Sequence, residues 1–265
     1  MPKNSILIIK KLREEIFSKE IILDYKVNEQ DFTRKRKQPF SQVLLFMLNL
    51  LRKSMAIEIN NFLEYLNSKL ESQKVENFTS SAFVQKRKKI KPEVFNYLSS
   101  VITDNYYVQS NENIKRFKDF RVLAVDGSKI TLPFTEELKI SFGESKNQTN
   151  TSIVQARSSV LYDVLNGLVL DSVLENIKTG ERELALSHTS HWKENDLIIY
   201  DRGYPSYDFK YEHIKSGIDY LIRVQKNHSK IVSSFILSEK RTLIVDVFPQ
   251  EKHTFEGKDY DKTTS

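Results

Sequence analysis

The sequence of 265 residues contains no cysteine. Disulfide bonds, zinc–thiolate sites and thiol nucleophiles are therefore excluded. No apolar run reaches the roughly 18 residues of a membrane span, because the longest one, residues 43–51, is interrupted by Asn49. The N-terminal segment also lacks the small-residue cleavage site of a secretory signal. These absences predict a cytoplasmic protein without a membrane partner.

Charge is distributed unevenly along the chain. Residues 1–118 contain 22 Lys and Arg against 13 Asp and Glu, whereas residues 119–265 contain 19 against 22. A basic segment of this kind is typical of nucleic-acid binding, because each neutralised phosphate releases condensed counterions. A solvated, lysine-rich surface without a ligand has the same composition. Charge alone does not separate these two interpretations.

The periodicity of residues 1–118 predicts an all-α domain. Within segment 41–53 the apolar residues are dense enough to lie on all sides of a helix. This pattern is expected of a buried central helix, with Ser41 as its N-cap. Further helices are predicted to begin at Thr79 and at Pro92. Together with its charge, this pattern favours a helical, basic DNA-binding domain.

Two basic runs lie beside the ends of these predicted helices. A short helix, a tight turn and a second helix, with the charges at the joint, resemble a helix-turn-helix DNA reader. Joints in ordinary helical bundles look the same, and their charges contact phosphates or solvent only. The candidate DNA-binding residues are Arg34, Lys35, Arg36 and Lys37 in the first run, and Lys86, Arg87, Lys88 and Lys89 in the second.

From residue 119 onward the pattern changes to that of an α/β sheet. Asn166 and Gly167, between two β-rich runs, predict a hairpin because both residues tolerate positive φ. The predicted order of strand, strand, strand, helix, strand, helix, strand is similar to a ribonuclease-H-like core, a mixed five-stranded sheet whose first and fourth strands are neighbours. The predicted elements are strands over 122–125, 153–165 and 168–174, a helix from Thr179, a strand over 197–200, a helix over 205–215 and a strand over 218–224. Beyond Ser229 we expect a β-rich segment, with its clearest strand over 242–248.

Two aspartates follow apolar strand-like runs and directly precede predicted glycine-containing turns. They are Asp126, in Asp-Gly-Ser, and Asp201, in Asp-Arg-Gly. Open α/β sheets bind ligands outside the carboxyl ends of their strands. If the first and fourth strands are neighbours, the two carboxylates meet and share divalent metals, and oxygen ligands suit Mg²⁺ or Mn²⁺ in phosphodiester chemistry. The alternative is that each aspartate only caps the turn after it.

Four motifs in order have a recognisable form. They are residues 125–133 (Val-Asp-Gly-Ser-Lys-Ile-Thr-Leu-Pro), 156–166, Gly180-Glu-Arg, and 200–205 (Tyr-Asp-Arg-Gly-Tyr-Pro). This chain resembles the DDE transposases of bacterial insertion sequences, in the branch with a β insertion before the final glutamate and a Tyr-Arg-Glu-Lys signature. The similarity covers essentially the whole chain.

The resemblance implies metal-dependent DNA strand cleavage and strand transfer at insertion-sequence ends. Asp126 and Asp201 match the first two catalytic residues and would hold Mg²⁺ or Mn²⁺ ions about 3.5 to 4 Å apart. The implied partners are double-stranded DNA, both transposon ends and target, and a second copy in a homodimer on paired ends. The implied setting is nucleoid-associated. The implied domains are a DNA-binding domain over 1–118, the first part of the catalytic core over 119–228, and the start of the insertion over 229–265.

The chain departs from this family in one respect. Residues 225–265 contain no Tyr-x-x-Arg-x-x-x-Glu, so no third catalytic residue is assigned. Loss of one ligand from a concerted site typically removes most of its rate. We therefore expect a C-terminally truncated, inactive transposase. The alternative is a non-catalytic remnant or regulator that binds transposon ends.

Several other polar residues have two interpretations each. Arg157 and Arg202 are expected to contact DNA phosphates, with a structural ion pair as the alternative. For His188 and His191, zinc binding is disfavoured relative to hydrogen bonding near Trp192. Glu181 and Glu183 are expected to be structural or to contact DNA rather than to catalyse. Tyr204 and Tyr207 could stack on an unpaired base, with core packing as the more usual alternative.

Overall fold

We describe a computed structural model of the chain. Its described residues are 3–34, 38–49, 53–69, 75–109, 114–146 and 149–247. The chain divides into two compact units, residues 1–114 and 115–265. No helix within the described ranges is both long enough and apolar enough to cross a membrane.

The first unit is helical, as predicted. Thr79 begins a helix as expected, because its hydroxyl accepts a hydrogen bond from the Ala82 N–H at 3.2 Å. The buried helix is shorter than expected and has Pro39, not Ser41, at its N-cap. The helices are α1 (Lys3–Ile16), α2 (Lys19–Tyr25), α3 (Phe40–Leu48), α4 (Met55–Lys69), α5 (Ser80–Arg87) and α6 (Glu93–Gln109).

Phe46 is at the centre of the core of this unit and is completely buried. Its ring contacts the rings of Phe62 and Phe83 at centroid distances of 5.1 and 4.7 Å. These contacts join α3 to α4 and α5. The dense apolar segment of the sequence therefore does form the buried centre of a helical unit.

The second unit is a mixed sheet with helices. It contains β1 (Arg121–Thr131), α7 (Glu136–Phe142), β2 (Glu144–Lys146), β3 (Ser152–Asp163), β4 (Leu168–Asn176), α8 (Glu181–Leu186), a 3₁₀ turn (Ser187–His191), β5 (Asp196–Tyr200), α9 (Tyr207–Lys215), β6 (Asp219–Ile222) and α10 (Lys230–Leu237). The strand order is β2-β3-β1-β5-β6, and β4 also pairs with β3. The sheet therefore has six strands rather than five, because the short β2 adds to β3.

The predicted central pairing of the sheet is confirmed. β1 and β5, which correspond to the predicted first and fourth strands, pair in parallel. The hairpin at Asn166 and Gly167 is confirmed as well, with Gly167 at a φ of 71°. One face of the sheet is buried against α8 and α9, through residues that include Leu123, Ile198 and Phe209.

Two local predictions are wrong. Asp126 and Gly127 do not begin a turn, because β1 continues to Thr131 and pairs with β3. The expected strands after Ser229 are absent as far as residue 247, and α10 lies there instead. The Ser229 hydroxyl caps this helix by accepting a hydrogen bond from the Val232 N–H at 3.2 Å. Among the described residues, the β-branched run at 242–247 pairs with no strand, so its composition alone does not produce one there.

Candidate active site

The parallel pairing of β1 with β5 sets the positions of the two aspartates. The register pairs Arg121 with Asp196 and continues to Ala124 with Ile199. Asp126 and Asp201 each lie two residues beyond this last pair, at equivalent positions on neighbouring segments. Asp126 is still within β1, whereas Asp201 directly follows the end of β5. Both side chains are exposed to solvent.

A buried ion pair holds the first residues of the two strands together. Arg121 donates from Nε and Nη2 to the two carboxylate oxygens of Asp196, at 2.7 and 2.6 Å. The side chains are only 6% and 1% exposed. Arg121 also donates to the carbonyl of His191, and Asp196 accepts from the backbone N–H of Lys193. This bidentate contact fixes the β1–β5 register, because its planar geometry permits one alignment.

Backbone contacts shape the ends of the two aspartate segments. The Asp126 carboxylate accepts a hydrogen bond from the N–H of Gly127 at 2.9 Å. The Asp201 carbonyl accepts from the N–H of Tyr204 at 3.2 Å, which closes a turn. The turn expected after Asp201 is thus present, and it brings Tyr204 back toward the sheet.

Tyr204 lies close to both aspartates. Burial and the negative charges of Glu181, Asp126 and Asp201 raise the pKa of Tyr204 to about 12, against the opposing effect of Arg157. Its side chain belongs to the apolar core beside Phe209, which is the core packing given above as the alternative for Tyr204. The phenol therefore stays protonated at neutral pH, among negatively charged side chains.

The donors at the two aspartates suit a hard cation. No group of three or more His, Cys, Asp or Glu within the described ranges is arranged to hold a metal ion. Mg²⁺ commonly binds through one or two carboxylates, keeps several waters and takes substrate phosphates as further ligands. Asp126 and Asp201, exposed at equivalent positions on neighbouring segments, fit this mode of binding rather than an all-protein cage.

The Gly180-Glu-Arg segment begins α8 and contacts the same region. Arg157, on β3, donates from Nη1 to the Glu181 carboxylate at 2.6 Å, and Arg182 donates to the carbonyl of Gly203 at 3.3 Å. Arg157 is 16% exposed, so the structure places it in the alternative role of an ion-pair partner. Arg202 is exposed, as contact with a phosphate requires.

His188 is completely buried in a hydrogen-bonded chain. Its Nε2 lies 3.0 Å from Ser159 Oγ and its Nδ1 lies 2.7 Å from Asp171 Oδ2. His191 is half-exposed and lies 3.7 Å from the same carboxylate. Burial acts to raise the pKa of Asp171, but the His188 hydrogen bond and the charges of His188 and His191 lower it below its usual range. Both ring nitrogens of His188 therefore have hydrogen-bond partners, as the hydrogen-bonding interpretation predicts.

Replacing His188 by leucine is expected to destabilise the second unit by about 2 to 3 kcal/mol, because Ser159 and Asp171 lose a buried partner. Trp192, the only tryptophan, packs on His213 in this unit, so its fluorescence reports urea unfolding.

The same variant should change how stability depends on pH. A carboxyl group such as Asp171, whose pKa is lowered in the folded state, stabilises the fold at pH values above its unfolded pKa, and this stabilisation is lost as pH falls through its folded pKa. The loss below about pH 4 should therefore be smaller in the variant. The control is His191→Gln, expected to cost less than about 1 kcal/mol; equal costs for the two variants would contradict the argument.

The second basic run of the first unit is only partly exposed. Lys89 forms an ion pair with the buried Asp31, and the Lys86 ammonium lies 5.1 Å from the centre of the Phe32 ring. Arg34, Arg87 and Lys88 are exposed. Lys35, Arg36 and Lys37 lie outside the described residues. Among the described residues, the second run therefore has two exposed cations rather than four, because Lys86 and Lys89 contact Phe32 and Asp31.

Sequence reasoning missed the Arg121–Asp196 pair and the Ser159–His188–Asp171 chain. The first was signalled, since Arg121 and Asp196 each lie five residues before a candidate aspartate, at the starts of strands predicted as neighbours. The second had no such signal, because it depends on a register between β3 and β4 that the sequence does not specify.

Comparison with known proteins identifies the fold. No match was found among curated proteins. The family model described as the transposase DDE domain matches residues 117–260. This range contains β1, β5 and both aspartates, and its mixed sheet with helices agrees with a ribonuclease-H-like DDE domain. The chain therefore belongs to the transposase DDE family.

Proposed function

We propose that this transposase cleaves DNA strands with a divalent metal held by Asp126 and Asp201; the inactivity expected from the missing Tyr-x-x-Arg-x-x-x-Glu is the competing outcome, which the assay below decides. The observation that supports the proposal is the parallel β1–β5 pairing, which gives the two aspartates equivalent positions on neighbouring segments of the family-matched region. Strand transfer into a target would use the same site.

Both carboxylates would bind the cation, Mg²⁺ or Mn²⁺. When bound, the metal lowers the pKa of a water or hydroxyl nucleophile and stabilises charge on the phosphate. Asp126, in the middle of a paired strand, is the more rigid ligand. Asp201, at the start of a turn, adapts to the substrate. Arg202 is exposed beside Asp201 and is suited to hold a nonbridging phosphate oxygen.

The first unit would supply most of the affinity for DNA. The exposed residues Arg34, Arg87 and Lys88 are the strongest candidates among its described cations for phosphate contacts. Such contacts are independent of sequence and weaken as salt concentration rises. We assign Lys86 and Lys89 to contacts within the first unit, with Phe32 and Asp31. We assign Arg157 to its ion pair with Glu181 in the second unit.

The test is nicking of supercoiled DNA that carries insertion-sequence ends. The full chain is expected to convert supercoiled to nicked DNA in Mn²⁺ or Mg²⁺, and to bind but not cut in EDTA. Ca²⁺ serves as a further control because its flexible coordination differs from the near-octahedral geometry of Mg²⁺.

The outcomes of this assay separate two classes of function. Metal-dependent nicking supports the proposal. Salt-sensitive binding of the DNA without nicking in any metal would refute it and favour a non-catalytic protein that occupies transposon ends. Nicking with no preference for end-containing DNA would instead indicate a general nuclease.

A further inference from the structure

The start of α8 contacts both segments that carry the proposed metal ligands. A methyl group on Gly127, the residue after Asp126, would lie 3.6 Å from Glu181 Cγ. A methyl group on Gly203, two residues after Asp201, would lie 3.7 Å from Glu181 Oε2. One side chain thus lies against the backbone on both sides of the candidate site.

Two arginines hold this glutamate and its helix in place. Arg157, from β3, pairs with Glu181 Oε1 at 2.6 Å and also donates to the carbonyl of Ile177 at 3.4 Å. Arg182 donates to the carbonyl of Gly203. The contacts connect β3, α8 and the turn after β5. Glu181 is therefore fixed from one side by charge while its other oxygen faces the Asp201 turn.

Resting on the proposed function, we infer that Glu181 is a positioning residue that sets the separation of Asp126 and Asp201. It contacts neither the reacting atoms nor, in the described geometry, the two carboxylates themselves. Its side chain, 45% exposed, lies near both Gly127 and Gly203, and the ion pair with Arg157 favours this orientation. We call the ion pair between Arg157 and Glu181 the clamp, because it holds the side chain that lies near both ligand segments.

The surrounding charges support this assignment. Besides its burial, the carboxylates of Glu181, Asp126 and Asp201 raise the pKa of the Tyr204 hydroxyl, so all of them lie within electrostatic range of one atom. That hydroxyl lies 3.5 Å from the position of a methyl group on Gly127. Without Arg157, Glu181 would add uncompensated negative charge beside two carboxylates. The ion pair neutralises the charge of Glu181, so the net negative charge at the site comes from Asp126 and Asp201.

The test measures Mn²⁺ affinity by calorimetric titration of the full chain. Supporting residues around metal ligands typically change affinity 10-fold to 100-fold when they are mutated. Glu181→Gln keeps the shape but loses the charge on which Arg157 acts, and we expect about 10-fold weaker Mn²⁺ binding. Glu183→Gln removes the same charge from an exposed site on the same helix and is the matched control, with no expected change. Asp126→Asn should remove binding.

A second variant keeps the test decisive if Glu181→Gln lowers the midpoint of urea unfolding, followed by Trp192 fluorescence. Arg182→Gln changes only an exposed side chain whose contact is the Gly203 carbonyl. We expect about threefold weaker Mn²⁺ binding and no change in the midpoint.

The outcomes distinguish a failure of the clamp from a failure of the proposed metal site. If Asp126→Asn removes binding while the Glu181 and Arg182 variants bind Mn²⁺ like Glu183→Gln, the clamp is overturned and the proposed site stands. If Glu183→Gln weakens binding as much as Glu181→Gln, the effect is general charge and the clamp is again overturned. If the unaltered chain binds no Mn²⁺, or Asp126→Asn binds it equally well, the proposed function fails and the clamp with it.

Discussion

Replacing Asp126 or Asp201 by asparagine is expected to lower the rate of metal-dependent DNA nicking by at least about 1,000-fold. Asparagine has nearly the same shape but carries no charge, so it binds a hard cation much more weakly than a carboxylate. Metal ions supply several kcal/mol of transition-state stabilisation, and a 1,000-fold change corresponds to about 4 kcal/mol. The rate of nicking under saturating metal, measured on end-containing plasmid, is the relevant quantity.

The double variant distinguishes a shared site from two separate ones. Residues that act as a unit have non-additive effects, so Asp126→Asn/Asp201→Asn should be no slower than the slower single variant. Asp119→Asn, an exposed aspartate two residues before β1, is the matched control and should retain full activity. Two small effects that multiply in the double variant would show that the aspartates do not share a metal.

The parts of the fold that the sequence predicted are those where local patterns agree with each other. Asn166 and Gly167 specify a hairpin by turn chemistry alone, and Thr79 specifies a helix start by its hydroxyl. The adjacency of β1 and β5 followed from the order of the elements, which constrains parallel strands more than any single segment does.

The errors arose where tertiary pairing decides the conformation. Asp126-Gly127 reads as a turn locally, but β3 offers partners along β1 as far as Thr131, and the paired strand prevails over the turn. The run at 242–247 is β-branched, yet no neighbouring strand is available to it within the described residues. Strand propensity expresses packing against neighbours, so it fails where neighbours are missing.

The equivalent positions of the two candidate aspartates could be predicted from the sequence, but the contacts around them could not; their role as metal ligands stays a prediction. Both aspartates were identified by their place after apolar runs. The contact of Glu181 with Gly127 and Gly203 was not, because it depends on how α8 begins over the sheet. Arg157 shows the same limit: its sequence allowed a phosphate contact or an ion pair, and only the position of Glu181 distinguishes them.

Replacing Arg121 by methionine is expected to destabilise the second unit by about 3 to 5 kcal/mol, which is the typical cost of leaving a buried charge without its partner. Asp196, 1% exposed, would keep only the Lys193 N–H as a charge-stabilising contact among those described above. Urea unfolding followed by Trp192 fluorescence measures this cost. The matched control is Lys139→Met, which breaks the exposed pair with Glu144 and should cost less than about 1 kcal/mol.

The same ion pair links stability to the site. Replacing both partners, as in Arg121→Met/Asp196→Leu, should cost less than the sum of the two single changes, because no buried charge is left unpaired. This double variant still lacks the contact that aligns β1 with β5. A full slip of one residue is opposed by the core, because it would also turn the buried Leu123 and Val125 out of it. Looser alignment at the start of the two strands would still leave the separation of Asp126 and Asp201 less well fixed. We therefore expect the double variant to regain stability but not Mn²⁺ affinity; full recovery of both would show that the apolar strands alone set the register.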